Sequence, residues 1–173
     1  MKKLVAALFL MAVPLFAAGP ITFVVESPMS GFQEDPVVIT PGFGAFSFEL
    51  DPATGDWNIG GNYYTLSGSP TSVGIYGPAF HSTAGGSLIA SLTPLDFGLG
   101  TGMIYGSGTF TPAQLADVMA EHTYVNVFTS AYPGGEIRGQ ILVPEPSTYA
   151  AIAGLGLLGF AAARRFSSSS KTA

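Results

Sequence analysis

"FGAFSFELDPATGDWNIGGNYYTL", residues 43–66, decides the fold class. Phe46 and Phe48 fall on one side of an alternating run, and Ser47 and Glu49 on the other. That period of two is the pattern of a half-buried strand. The run ends at "DPATGD", where Pro52 suits the second turn position and Gly55 suits a left-handed residue before the return. "WNIGGNYYTL" then comes back. The stretch reads as a β-hairpin.

The rest of residues 20–143 reads as more short strands. "ITFVVES" (21–27) is β-branched and aromatic. "SVGIYG" (72–77), "SLIASL" (87–92) and "GTGMIYGSGTF" (100–110) follow, and "TYVNVFT" (123–129) and "GEIRGQIL" (135–142) close the series across a loop of about six residues. One helix interrupts them. Thr111 is a good N-cap, Pro112 fits the first helical position, and Gln114 stands three after the cap. Leu115, Val118 and Met119 supply an apolar stripe that should run to about Glu121. Many short strands with turn signals and one short helix predict a mainly β chain, an antiparallel β-sandwich with one short helix.

The two ends read as addresses. Lys2 and Lys3, an apolar run from Leu4 to Phe16 and then Ala17, Ala18 and Gly19 have the order of a secretory signal peptide over residues 1–19, cleaved near Ala17–Gly19. The run is short against the ~20 residues of a membrane span, and Pro14 breaks it late. At the other end, residues 149–163 are apolar and Arg164 and Arg165 stop them. That predicts a C-terminal apolar transmembrane helix, short and weakly hydrophobic, with the arginines held in the cytoplasm. A serine-rich tail follows. The division is therefore 1–19, a β domain at 20–143, and an anchor segment at 144–173.

Charge narrows the function. Within residues 20–143 there are ten acids and a single base, Arg138, a formal balance of −9. Such a surface repels nucleic acid and anionic lipid and tolerates cations, basic proteins or neutral glycans. There is no cysteine, so neither disulfides nor a thiol active site is possible.

Candidate chemistry is sparse. His81 and His122 are the only histidines, too few for a histidine metal site, and read as surface residues. Asp51 and Asp56 bracket the hairpin turn and, with Thr54, could hold Ca²⁺, but turn chemistry explains them. Glu34 and Asp35 read as a solvated acidic pair. No Gly-x-Ser-x-Gly elbow occurs. Trp57, Tyr63, Tyr64, Tyr76 and Tyr105 could stack on sugar rings, with core packing the commoner role. No cofactor, no metal and no catalytic residue is expected. In "GEIRGQIL", Ile137 and Ile141 should face the core, and Glu136, Arg138 and Gln140 the other side. Arg138 is expected to be a structural clamp, at least half buried, paired with a carboxylate other than Glu136 or in addition to it.

Two resemblances rest on these residues. Val143, Pro144, Glu145, Pro146 and Ser147, the short Gly/Leu-rich span and the arginine pair resemble a PEP-CTERM sorting signal. That resemblance implies an exosortase-type processing enzyme as partner and export in a Gram-negative, exopolysaccharide-making cell. It also implies a membrane anchor through the C-terminal helix before processing. The serine tail is longer than the usual pattern. "YVNVFTSAYPGGEIRGQI" resembles the terminal signature of the CHRD domain, with "LSGSPTSVGIYGPAF" and "TFTPAQLADVM" aligning upstream. The resemblance implies a β-sandwich module of extracellular proteins. At three positions where that family usually has histidine, this chain has Gly74, Tyr76 and Phe128. The expected role is that of an exported structural or adhesive module of the envelope or extracellular matrix, not an enzyme. Its partners would be exopolysaccharide or other envelope components and no nucleic acid. The alternatives are a hydrolase, or a glycan- or cation-binding module, acting on matrix polysaccharide.

Overall fold

The structure is a computed structural model that describes residues 21–25, 28–143 and 155–157. The expected signal peptide, the motif residues Pro144–Ser147, the arginine pair and nearly all of the expected C-terminal helix lie outside the described residues. Among the described residues, no helix is long and apolar enough to cross a membrane.

The domain is mainly antiparallel β. Its strands are β1 (Ile21–Val25), β2 (Met29–Ser30), β3 (Phe43–Leu50), β4 (Asp56–Tyr64), β5 (Pro70–Gly77), β6 (Ser87–Ser91), β7 (Thr93–Asp96), β8 (Gly102–Thr109), β9 (Tyr124–Thr129) and β10 (Ile137–Leu142), with one helix, α1 (Pro112–Met119), between β8 and β9. They form one sheet in the order β6-β5-β9-β10-β1-β3-β4-β8-β7, with β2 beside β10 and β3. The sheet nearly closes. Its edge strands β6 and β7 are consecutive in the chain, and Leu92 between them donates its N–H to the Val73 carbonyl on β5. Opposite parts of the sheet therefore share one core, which holds Phe48, Ile59, Ile75, Ile104, Val125 and Ile141 together.

The hairpin forms as the sequence predicts. Phe43 pairs with Tyr64 and Leu50 with Trp57 in an unbroken register. β3 alternates exposed and buried residues throughout. Gly55 has φ +79 and donates to the Asp51 carbonyl, and Asp51 accepts from the Ala53 N–H at 2.8 Å. Below the turn the rings of Trp57 and Phe110 stack with centres 5.3 Å apart, against Phe48. Burying such side chains contributes about 1.5–3 kcal/mol each. Phe110 directly precedes the helix cap, so this cluster also fixes where α1 begins.

In α1, Thr111 and Gln114 form the expected capping box. The helix stops at Met119 rather than Glu121, because Glu121 turns left-handed at φ +59. Two strands carry no strong signal. β2 has only two residues, and β7 contains Pro94, which an edge strand tolerates because one side needs no ladder donor.

Candidate functional site

β10 runs between β9 and β2, so Arg138 stands opposite both Asn126 and Ser30. Although β10 is a central strand, Arg138 is only 2% exposed because a second layer covers it. That layer is the β5–β6 loop, residues 78–86. The guanidinium donates from Nη1 to the Thr83 carbonyl at 2.7 Å and from Nη2 to the Phe80 carbonyl at 3.1 Å. Gln140, two residues on and also buried, donates from Nε2 to the carbonyls of Ala79 (3.2 Å) and Glu121 (2.6 Å). Glu121 is the left-handed residue after α1, so its freed carbonyl is met by the strand. The Tyr124 hydroxyl donates to the Gly85 carbonyl, and the Asp35 carboxylate accepts from the Ala84 N–H at 2.7 Å. The loop is thus tied along its length by side chains of β9, β10 and the 31–36 segment. Arginine suits this place, since its planar fork meets two carbonyls at once and its charge cannot be lost.

The acid beside this arginine is Glu34. It is 6% exposed, so the reading of Glu34 and Asp35 as a solvated pair holds only for Asp35. A single 3-10 turn at Gly31–Gln33 folds Glu34 inward against β9 and β10. Asn126 Nδ2 donates to its Oε2 at 3.3 Å. Burial pushes the Glu34 carboxyl up to about 7, with the Arg138 charge and the Asn126 bond opposing that rise. Gly135 closes the wall with φ +123. A Cβ there would stand 2.5 Å from Glu34 Oε1 and 2.8 Å from the Asn126 amide, so only glycine fits. Burial also raises the Tyr124 hydroxyl above its ordinary value, against the Arg138 charge.

Glu136 does not share the Arg138 face, contrary to expectation. Glu136 donates its N–H to the Val127 carbonyl while Ile137 is the register partner of Val127, so two residues oppose one in the manner of a bulge. The carboxylate is thereby turned toward the Thr129 side of β9. It is fully buried there. Oε1 accepts from the hydroxyls of Thr40 (2.7 Å) and Ser67 (3.0 Å) and from the Ser67 N–H (2.8 Å), and Oε2 accepts from the Thr129 hydroxyl (2.7 Å). It gathers the 38–42 and 65–68 segments onto β9 and β10. Ile137 and Ile141 face the core as predicted.

The other sequence candidates scatter. His81 is exposed, and His122 packs edge-on against Phe80 with ring centres 4.8 Å apart. Asp56 accepts from the hydroxyls of Thr54 (3.0 Å) and Thr109 (2.6 Å), bonds that hold its carboxyl below the usual range. Among the described residues, no group of three or more His, Asp or Glu is placed to hold a metal ion. Trp57 and Tyr63 are core residues, and burial pushes the Tyr63 hydroxyl up to about 12. Tyr64 and Tyr105 are exposed. The three histidine-replacing positions do converge. Tyr76 stacks on Tyr124 at 5.8 Å and meets Phe128 at 5.5 Å, and a Cβ at Gly74 would touch Leu88 and Tyr76. An aromatic and aliphatic packing fills that place in this chain. Sequence reasoning put Gln140 on the Arg138 face but missed Glu34, Tyr124 and Asn126 as members of the cluster. The one available signal was that a lone buried base in an acidic domain needs an acid, and nothing along the chain said which.

In comparison with protein families, the CHRD domain model matches residues 25–141 and the PEP-CTERM protein-sorting motif matches residues 142–165. No curated protein and no solved structure matches the chain. The first match spans the sheet except for the first four residues of β1 and the last residue of β10. The second begins at Leu142, where β10 ends.

Proposed function

Since the chain belongs to the CHRD domain family and carries the PEP-CTERM signal by which an exosortase recognises exported proteins, we propose that it works as a structural or adhesive module of the cell envelope or extracellular matrix. The observation that carries this reading is the use made of the terminal signature. Its polar side chains, Glu136, Arg138 and Gln140, are buried and bonded to the chain's own hydroxyls and loop carbonyls. Groups occupied in this way brace a surface and are not available to a substrate. In this reading Arg138 is a structural clamp on the 78–86 loop. The residues after Val143 hold the chain at the membrane before processing, and exopolysaccharide or another envelope component is the partner.

The test uses the secreted full chain and matrix polysaccharide from the producing cells. The chain should sediment with the polysaccharide and release no reducing ends. Release of reducing ends in proportion to added protein would assign the hydrolase alternative instead.

A further inference from the structure

Gly60 is a strand glycine for which the fold supplies no reason. In β3, β4, β5 and β8, Gly44, Gly61, Gly74, Gly77, Gly102, Gly106 and Gly108 each have a neighbour within 3.0 Å of where a Cβ would lie. Close packing accounts for all of them. At Gly60 the same position meets nothing within 4 Å, and its backbone is not left-handed. Glycine weakens a strand, and where the space above it is open it marks a place where something else approaches the backbone.

The groups around that opening suit a sugar ring. On the outer face, Gly60 lies between Tyr105 of β8 and Ser47 of β3. Asn58 and Asn62 stand two residues before and after it on the same face. Tyr105 is 51% exposed and walls a depression of about 490 Å³ that Asn58, Ser91, Thr93 and Ser107 also line. Further along β4 on this face, Tyr64 stacks on Phe43 with ring centres 5.1 Å apart, both partly exposed. The face thus carries an open position at Gly60 between an exposed aromatic ring and a serine, with an amide two residues to either side, and beside Tyr105 a depression edged by hydroxyls. A pyranose offers the complementary surfaces, an apolar C–H face for the ring and hydroxyls for the amides and serines. Glu49, the register partner of Asn58, takes its amide hydrogen at 2.7 Å, and the domain carries ten acids against one base. A polyanion is repelled by that field, and a neutral chain is not.

We propose that this face, centred on Gly60 and Tyr105, binds a neutral hexopyranose polysaccharide. The proposal rests on the adhesive reading above and names the ligand for it. Two variants test it in the secreted full chain. Gly60→Val fills the open position with a strand-favouring side chain whose Cβ meets nothing within 4 Å, and Tyr105→Ala removes the ring beside it. Phe32→Ala, an exposed aromatic outside the face, is the control. Affinity electrophoresis through hydroxyethyl cellulose, galactomannan and alginate reads the binding, and sedimentation with native matrix polysaccharide reads adhesion.

Retardation of the wild type and of Phe32→Ala by a neutral polymer but not by alginate is expected, weakened about tenfold or more by either variant. Retardation by alginate alone, or a dimer that Gly60→Val dissociates, would overturn the proposal, the latter giving the face to a second copy. Adhesion to native matrix that survives both substitutions removes this face and leaves the adhesive function standing. A wild type that binds neither probe nor matrix removes both.

Discussion

The guanidinium carbon of Arg138 lies 3.5 Å from the centre of the Tyr124 ring. The ring is itself fixed, because its hydroxyl donates to the Gly85 carbonyl and Tyr76 stacks beside it. The one base of residues 20–143 is thus held between an aromatic face, the carbonyls of the overlying loop and the charge of Glu34. A cation desolvated over an aromatic face gains about 2 kcal/mol.

Arg138→Ala should therefore lower stability by about 3–5 kcal/mol at pH 8, because it leaves the buried Glu34 charge uncompensated and two loop carbonyls without donors. Arg138→Lys keeps the charge but loses the fork, and should cost roughly 2 kcal/mol. Urea unfolding midpoints measure both. Wild-type midpoints in both variants would show that Arg138 clamps nothing.

Glu34 should make stability depend on pH. Its carboxyl is raised from 4.5 to about 7 in the folded chain. Between those values the folded protein holds a proton that the unfolded chain has released. The stabilisation is full below pH 4.5, is lost as pH rises toward 7, and amounts to about 3 kcal/mol. Glu34→Gln should flatten this part of the profile, as followed by urea unfolding from pH 4 to 8. Arg138→Ala should extend the slope above pH 7, since the Arg138 charge is what opposes the rise. A Glu34→Gln profile as steep as the wild type would place the titrating group elsewhere.

Glu136→Gln should be costly although it is nearly isosteric. Three hydroxyls and one N–H point at the carboxylate, and an amide presents its own N–H groups to some of them. A buried polar group left without its partner costs about 1–3 kcal/mol, more where a charge was involved. Thermal unfolding should show a clear fall in Tm. An unchanged Tm would mean that the hydroxyls re-pair at no cost.

Processing should remove the tail. The PEP-CTERM match begins at Leu142, the last residue of β10, so a cut beyond Val143 leaves the domain whole. Mass spectrometry of the mature protein should find no peptide containing Phe166–Ala173. Intact C-termini on most molecules would show that the motif sorts without cleavage.

Local order is what the sequence by itself determined. The hairpin at 43–64 was legible because alternation and a glycine-containing turn act within a few residues. The helix start at Thr111 was legible because the capping box is complete within four. The sorting signal was legible because it is read as linear sequence. Only the tertiary structure decided the rest. The β5–β6 loop covered the second face of β10, and which carbonyls would meet Arg138 and Gln140 there was not written near them in the chain. A bulge at Glu136 and Ile137 turned the glutamate away from Arg138, and a 3-10 turn carried Glu34 across more than ninety residues of chain to Asn126. The aromatic residues sorted into core and surface by strand register, leaving Tyr105 outside and Tyr63 within. The physical reason is common to these cases. Backbone propensity and capping depend on near neighbours, whereas the partner of a buried charge is set by which distant segments the packed sheet brings within a few ångströms, where low dielectric makes the pairing strong.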